Sequence, residues 1–238
     1  MKKEYFYRDN YSITEANSFE PRLQEVIRIF RKYLSENQTV LDIGCGDGNF
    51  AIFLKNVLKA KDIFGIDISE KAVSLCIKNG INAVKLNVDD DKLPYENGFF
   101  DAIFCGEVIE HLYDPDFLLS EIYRVLKKGG IFLITTPNLA AWHNRAILCL
   151  GFQPHFTEVS LKYHYVGKLH PKAKDLKASG HIRVFTYRAL KDLLKIHGFT
   201  LIKTTGIPGV MPVPLNVADA IFKFVPSLSS DLLLVVVK

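Results

Sequence analysis

Residues 40–50 read VLDIGCGDGNF, and few folds accommodate such a stretch. Val40, Leu41 and Ile43 make a short apolar run, as in a parallel strand buried on both faces. Gly44, Gly46 and Gly48 follow at alternate positions, and a helix is expected from Asn49. Glycines at such a turn allow positive φ and remove side chains that would hold a ligand away from the backbone. The helix beyond starts with N–H groups that lack intrahelical partners. The stretch therefore predicts a strand, a sharp turn and a helix, with the turn pressed against a ligand.

The flanking chain repeats the same unit. Apolar residues at spacings of three and four predict an amphipathic helix over 17–34, through Phe19, Leu23, Val26, Ile27, Phe30 and Leu34. Strands are expected at 37–43, 62–67, 81–86, 100–105 and 131–135. Helices are expected at 49–58, after a Ser69 cap, and from an Asp114 cap with Pro115 in the first turn. That last helix should run to Lys127 and stop at Gly129-Gly130. Strands alternating with helices in this way imply an α/β fold: a Rossmann-like, mostly parallel sheet with helices on both faces.

The rhythm breaks over 139–180. This stretch contains Trp142 and the histidines 143, 155, 164 and 170, with lysines at 162, 168, 172, 174 and 177. It reads as a cap inserted over the strand ends. A helix over 187–197, a strand over 199–205, a short helix near 217–224 and a closing strand over 231–238 complete the chain. The expected organisation is one domain. It has an N-terminal lid and helix (1–36), a core (37–138), a cap insertion (139–180) and a C-terminal part (181–238).

Composition narrows the class. With 48% hydrophobic and 24% charged residues, the 238-residue chain can bury a full core, and its net charge of +4 gives little reason to expect nucleic acid. The four cysteines, 45, 76, 105 and 149, show no CxxC spacing and read as reduced thiols. The first residues lack the apolar run of a signal peptide, and no stretch reaches the roughly 18 apolar residues of a membrane span. These features together predict a cytoplasmic protein.

The glycine turn has the spacing GxGxG and not the GxGxxG of a dinucleotide site, and it lacks a Walker lysine. Two acids support it. Asp67 closes the second strand, where a carboxylate can accept both hydroxyls of a ribose. Asp89 is expected at the end of the third, where it can accept from an adenine amino group. Either acid could instead be a solvated loop residue or a helix cap. Ligands of open α/β sheets gather at such strand ends.

VLDIGCGDGNF, GIDIS, LPYENGFFDAIFCGEVIEHL and LKKGGIFLITTPN together resemble the class I S-adenosylmethionine-dependent methyltransferases. Within these they are most similar to the branch with ubiquinone-biosynthesis O-methyltransferases. The resemblance covers about 20–138, and HIRVFTYRALKDLLKIHG, 181–198, is similar to the same branch. It implies a seven-stranded sheet with an antiparallel last strand and S-adenosylmethionine as cofactor. It places Asp42, Gly44, Cys45 and Gly46 along the methionine portion. Asp67 and Ile68 would hold ribose and adenine, Asp89 would read adenine, and Cys105, Gly106 and Glu107 would line the floor near the methyl group. The implied reaction is methylation of an oxygen or nitrogen of a small-molecule acceptor.

EVIEHL, 107–112, is the second informative stretch. In a helical turn Glu107, Glu110 and His111 would share one face. Glu110 and His111 are then candidate catalytic groups, with His111 a base, an acceptor-positioning group or a packing residue. The same face could hold a divalent metal. The small-RNA 2′-O-methyltransferases carry a similar ExxEH motif with a later histidine, and His181 stands in a comparable place. A metal set of Glu107, Glu110, His111 and His181, acting on RNA, is thus an alternative, and a non-catalytic S-adenosylmethionine-binding protein is another. Tyr5, Tyr7 and Tyr11 could close over the cofactor or pack on the sheet.

Overall fold

A computed structural model describes residues 21–169, 178–209 and 215–238. The expected lid tyrosines, His170 and the lysines at 172, 174 and 177 lie outside the described residues. The sheet has seven strands in the order β3-β2-β1-β4-β5-β7-β6. These are β1 (Thr39–Ile43), β2 (Asp62–Asp67), β3 (Asn82–Lys85), β4 (Phe100–Gly106), β5 (Leu126–Pro137), β6 (Thr200–Ile207) and β7 (Asp231–Val237). The first five pair in parallel, and β7 runs antiparallel to both β5 and β6, as expected for the closing strand.

Alternation along the strands builds two core layers, because successive side chains leave a strand on opposite faces. Leu41, Ile43, Phe132, Ile134, Leu234 and Val236 meet α4 (Pro115–Val125) and α6 (Tyr187–Ile196) on one face. Val40, Leu133 and Val235 meet α1 (Pro21–Tyr33) and α2 (Asn49–Leu58) on the other. The helices start where their caps say. Ser69 Oγ accepts from Ala72 N–H at the start of α3 (Glu70–Lys78), and Asp114 accepts from Phe117 N–H at the start of α4. Among the described residues, no helix is long and apolar enough to cross a membrane.

Three boundaries differ from expectation. The third strand ends at Lys85, so Asp89 lies in the loop beyond it and not at a strand end. The fourth helix stops at Val125, and Lys127–Gly130 belong to β5. Gly129, at φ 78°, lets β5 bulge where its register against β4 shifts, and Gly129 N–H and Gly130 C=O pair with Lys238. The glycine pair thus shapes a strand bulge and not a helix stop. The expected cap begins with a helix of its own, α5 (Trp142–Cys149). Trp142 Nε1 donates to Asp219 of α7 (Leu215–Phe222) at 2.9 Å, so α5 is fastened to the C-terminal part of the chain.

The strand order reverses between β1 and β4, the switch point at which open sheets bind ligands. Ile43 pairs beside Cys105 there, so the loops after both strands emerge side by side.

Candidate active site

A cavity of about 360 Å³ opens at this switch point. One wall comes from the strand ends: Gly44, Asp67, Ile68, Gly106 and Glu107. The opposite wall comes from the expected cap and its return: Glu158–Leu161 and Gly180–Ile182. His111 and Tyr113 lie between the two.

The glycine turn is shaped by close approach. Gly44 sits at φ +80°, and a Cβ there would overlap Val108 Cγ2 on the neighbouring loop. The Gly44 and Cys45 N–H groups both donate to Ile66 C=O, which fastens the turn to β2. Asp67 completes it: Oδ2 accepts from Gly46 N–H at 3.0 Å and Oδ1 from Ser69 N–H at 2.8 Å. Burial pushes the Asp67 carboxyl up, against the backbone donors of Ser69, Gly46 and Ile68. A carboxylate offers about four lone-pair sites, so with three backbone donors it still keeps capacity for a ligand hydroxyl.

Other expected cofactor residues are placed differently. Asp42 is buried in β1 and does not line the cavity; burial, with Asp67 nearby, raises its carboxyl to about 7. The Cys45 thiol packs on Gly65 beside Cys76, and Cys105 is fully buried, so neither thiol reaches the cavity. Asp89 lines the wall, and its Oδ1 accepts from both Tyr113 and Asp114 N–H at 2.9 Å. It therefore clamps the loop after β3 to the start of α4.

EVIEHL does not present one helical face. Glu107 takes a left-handed conformation, φ 55°, and only Ile109–His111 form a 3-10 turn. Glu107 turns to α1, where Arg22 Nη1 lies 2.9 Å from its Oε2. Its Oε1 is buried without a hydrogen-bond partner. A non-glycine residue held at positive φ in a ligand cavity is where functional strain gathers. Glu110, fully buried, accepts from Thr136 Oγ1 at 2.9 Å through Oε2, while its Oε1 has no partner. Burial, then the nearby Glu107, raises the Glu110 carboxyl well above its ordinary range.

The backbone brings His181 to this turn. Glu110 C=O accepts from Ile182 and Arg183 N–H at 2.8 and 2.9 Å. The rings of His111 and His181 then stand 4.8 Å apart. His111 Nδ1 faces Gly180 C=O at 3.2 Å and His181 Nδ1 faces Phe156 C=O at 2.9 Å. A carbonyl only accepts, so each Nδ1 carries hydrogen and each Nε2 is the basic nitrogen. Burial, then His181, lowers His111 to about 4, so it is neutral at pH 7. The other described histidines do not line the cavity: His143 is buried with the His155 ring 5.4 Å away, His164 pairs with Glu158, and His197 pairs with Asp116.

Four contributors carried no sequence signal. Arg22, in α1, and Val108, after β4, matter through partners distant in the chain, Glu107 and Gly44. Glu158 accepts from Ser179 N–H and Oγ, Gly180 N–H and His164 Nδ1, so it joins the two arms of the cap. Lys168, one of the lysines of the expected cap, donates to the carbonyls of Pro154, His155 and Thr157. It holds the loop that carries Phe156 C=O.

A profile described as a methyltransferase domain matches residues 16–204. The ribosomal protein L11 methyltransferase of Aquifex aeolicus is 39% identical over 113 residues, 47% of this chain and 44% of that protein. A probable S-adenosylmethionine-dependent methyltransferase of Mycolicibacterium smegmatis is 32% identical over 125 residues, 49% of this chain and 45% of that protein. The chain thus spans less than half the length of these curated relatives. Among solved structures, a SAM-dependent methyltransferase of Thermotoga maritima, described as a possible histamine N-methyltransferase, superimposes with a TM-score of 0.60 at 21% identity. It covers 91% of this chain and 89% of its own.

The cavity fits the family's cofactor, which carries positive charge on its ammonium and sulfonium groups and negative charge on its carboxylate. Gly44 and Gly106 bring backbone to the wall, Asp67 can accept from hydroxyls, and Glu107 Oε1 is a buried acceptor without a donor. The chain belongs to the methyltransferase-domain family, the class I S-adenosylmethionine-dependent methyltransferases.

Proposed function

We propose that this chain methylates an oxygen or nitrogen of a small-molecule acceptor. The observation that carries the reading is one cavity with two unlike walls, Gly44–Asp67 on one side and His111–His181 on the other. The cofactor supplies a methyl group already activated on a sulfonium. Asp67 receives the ribose hydroxyls, with the adenine among Ile68, Leu86 and Val88 and beside Asp89. Gly44, Gly46 and Glu107 receive the methionine end, and Glu107 Oε1 accepts from its ammonium. Little else is required of the first wall, because alignment of the acceptor supplies much of the rate.

The acceptor lies under Glu158–Leu161 and Ile182. The apolar residues of that wall, Val159, Leu161 and Ile182, are exposed to the cavity mouth and favour an acceptor with an apolar body. His111, neutral at pH 7, offers the lone pair of Nε2 to the acceptor atom, and Glu110 and Thr136 hold the turn beneath it. Incubation of a metabolite extract with methyl-labelled S-adenosylmethionine tests this. A labelled small molecule is expected to appear, and His111→Ala should suppress it. Label only in macromolecules, or none, would contradict the proposal.

A further inference from the structure

Three groups at the acceptor wall are arranged for more than positioning. One ligand atom each from Glu110, His111 and His181 lies within 4.8 Å of the others. Both imidazoles hold Nδ1 against a backbone carbonyl, which leaves Nε2 as the coordinating nitrogen. Metal-binding histidines are fixed in this way, through the ring nitrogen that does not bind the ion. The third group, Glu110, is fully buried, fixed at Oε2 by Thr136, and keeps Oε1 buried without a hydrogen-bond partner. A buried oxygen left without a partner destabilises the fold unless something fills its need.

The supporting contacts come from distant parts of the chain. The backbone pairs of Glu110 with Ile182 and Arg183 set the spacing of the two rings. Lys168, on three carbonyls, and Glu158, on Ser179 and Gly180, hold the segments that carry Phe156 C=O and Gly180 C=O. Glu107 is outside the set, because its turn at φ 55° directs it to Arg22.

We infer that Glu110, His111 and His181 bind one divalent transition-metal cation through a carboxylate oxygen and two imidazole nitrogens. Two nitrogens and one oxygen favour zinc, cobalt or ferrous iron over magnesium or calcium, which take oxygen ligands. Three protein ligands leave positions open. His111 and His181 line the cavity, so those positions border the acceptor space. This rests on the function proposed above and changes the part that His111 plays in it: with the cation bound, the Nε2 lone pair holds the metal, and the acceptor meets the cation instead, which narrows the acceptor atom to oxygen, a hydroxyl able to enter the coordination shell.

The test is titration of the chelator-treated full chain with zinc and cobalt(II), read by calorimetry and by the cobalt absorption spectrum. One cation per chain is expected. Glu110→Gln and His181→Ala should each weaken binding by about tenfold or more. His197→Ala, whose ring lies on Asp116 away from the cavity, should bind as the parent does. Circular dichroism of each variant separates lost ligation from lost folding, and Glu110→Gln retains an acceptor for Thr136. No stoichiometric binding, or parent affinity in a folded His181→Ala chain, overturns the inference. Calorimetry with S-adenosylmethionine on the same samples reports separately on the cofactor reading.

Discussion

Gly44→Ala is the sharpest perturbation of the turn on which the cofactor site rests. An alanine at φ +80° is in the left-handed region, which costs about 1–2 kcal/mol for a residue with a Cβ. Its methyl would also overlap Val108 Cγ2, an overpacking that costs about 1–3 kcal/mol. Together the variant should lose about 2–5 kcal/mol, a Tm drop of roughly 5–15 °C for a chain of this size. Val108→Ala removes the colliding group and alone should cost about 1 kcal/mol, because Val108 is only partly buried. The double variant should recover the overlap cost and keep the φ cost. Urea denaturation of all four chains gives the coupling, expected at about 1–3 kcal/mol. Additive single effects would refute the claim that the loops after β1 and β4 are packed at this point.

Other outcomes follow from single residues. Asp42 titrates near pH 7 when folded, against an ordinary 3.8, so the folded chain holds a proton that the unfolded chain has released. Stability should fall as pH rises from about 4 to 7, by up to about 4 kcal/mol, and stay low above that range. Asp42→Asn should flatten this dependence in urea melts at pH 5 and 8, and an unchanged slope would contradict the assignment. Ser69→Ala removes the cap of α3 and should cost about 1 kcal/mol, with no loss counting against it. Of the four cysteines only Cys149 is exposed, so a thiol reagent should label one site quickly and three after unfolding. His111 is neutral down to about pH 4, so the acid limb of turnover should fall near 4 and not at 6.5.

Local signals account for what the sequence disclosed. The bounds of α2 and β2 follow from the glycine turn and from Asp67, because both elements start or stop on residues whose neighbours in the chain decide the geometry. Asp114 and Pro115 mark the start of α4 for the same reason. The strand count and the antiparallel last strand came from resemblance, and the order of the strands only from the structure, since strand neighbours are set by contacts between distant segments. Where long-range contacts decide, local reading fell short. Gly129-Gly130 resembles a helix stop, yet the pairing with Lys238 makes it part of a strand. ExxEH resembles one helical face, yet the turn at Glu107 and the pull of Arg22 divide it. His181 joins Glu110 and His111 only because Glu110 C=O takes two N–H groups from the returning chain. Glu158 and Lys168 belong to no motif; their roles exist only once the cap has closed on itself.

Binding of S-adenosylmethionine tests the central claim most directly. Calorimetry of the parent chain should show one site, and Asp67→Ala should abolish it, since that change removes the proposed ribose acceptor and the clamp on Gly46 and Ser69 together. Absence of binding by the parent at millimolar ligand, or undiminished binding by a folded Asp67→Ala chain, would contradict the account.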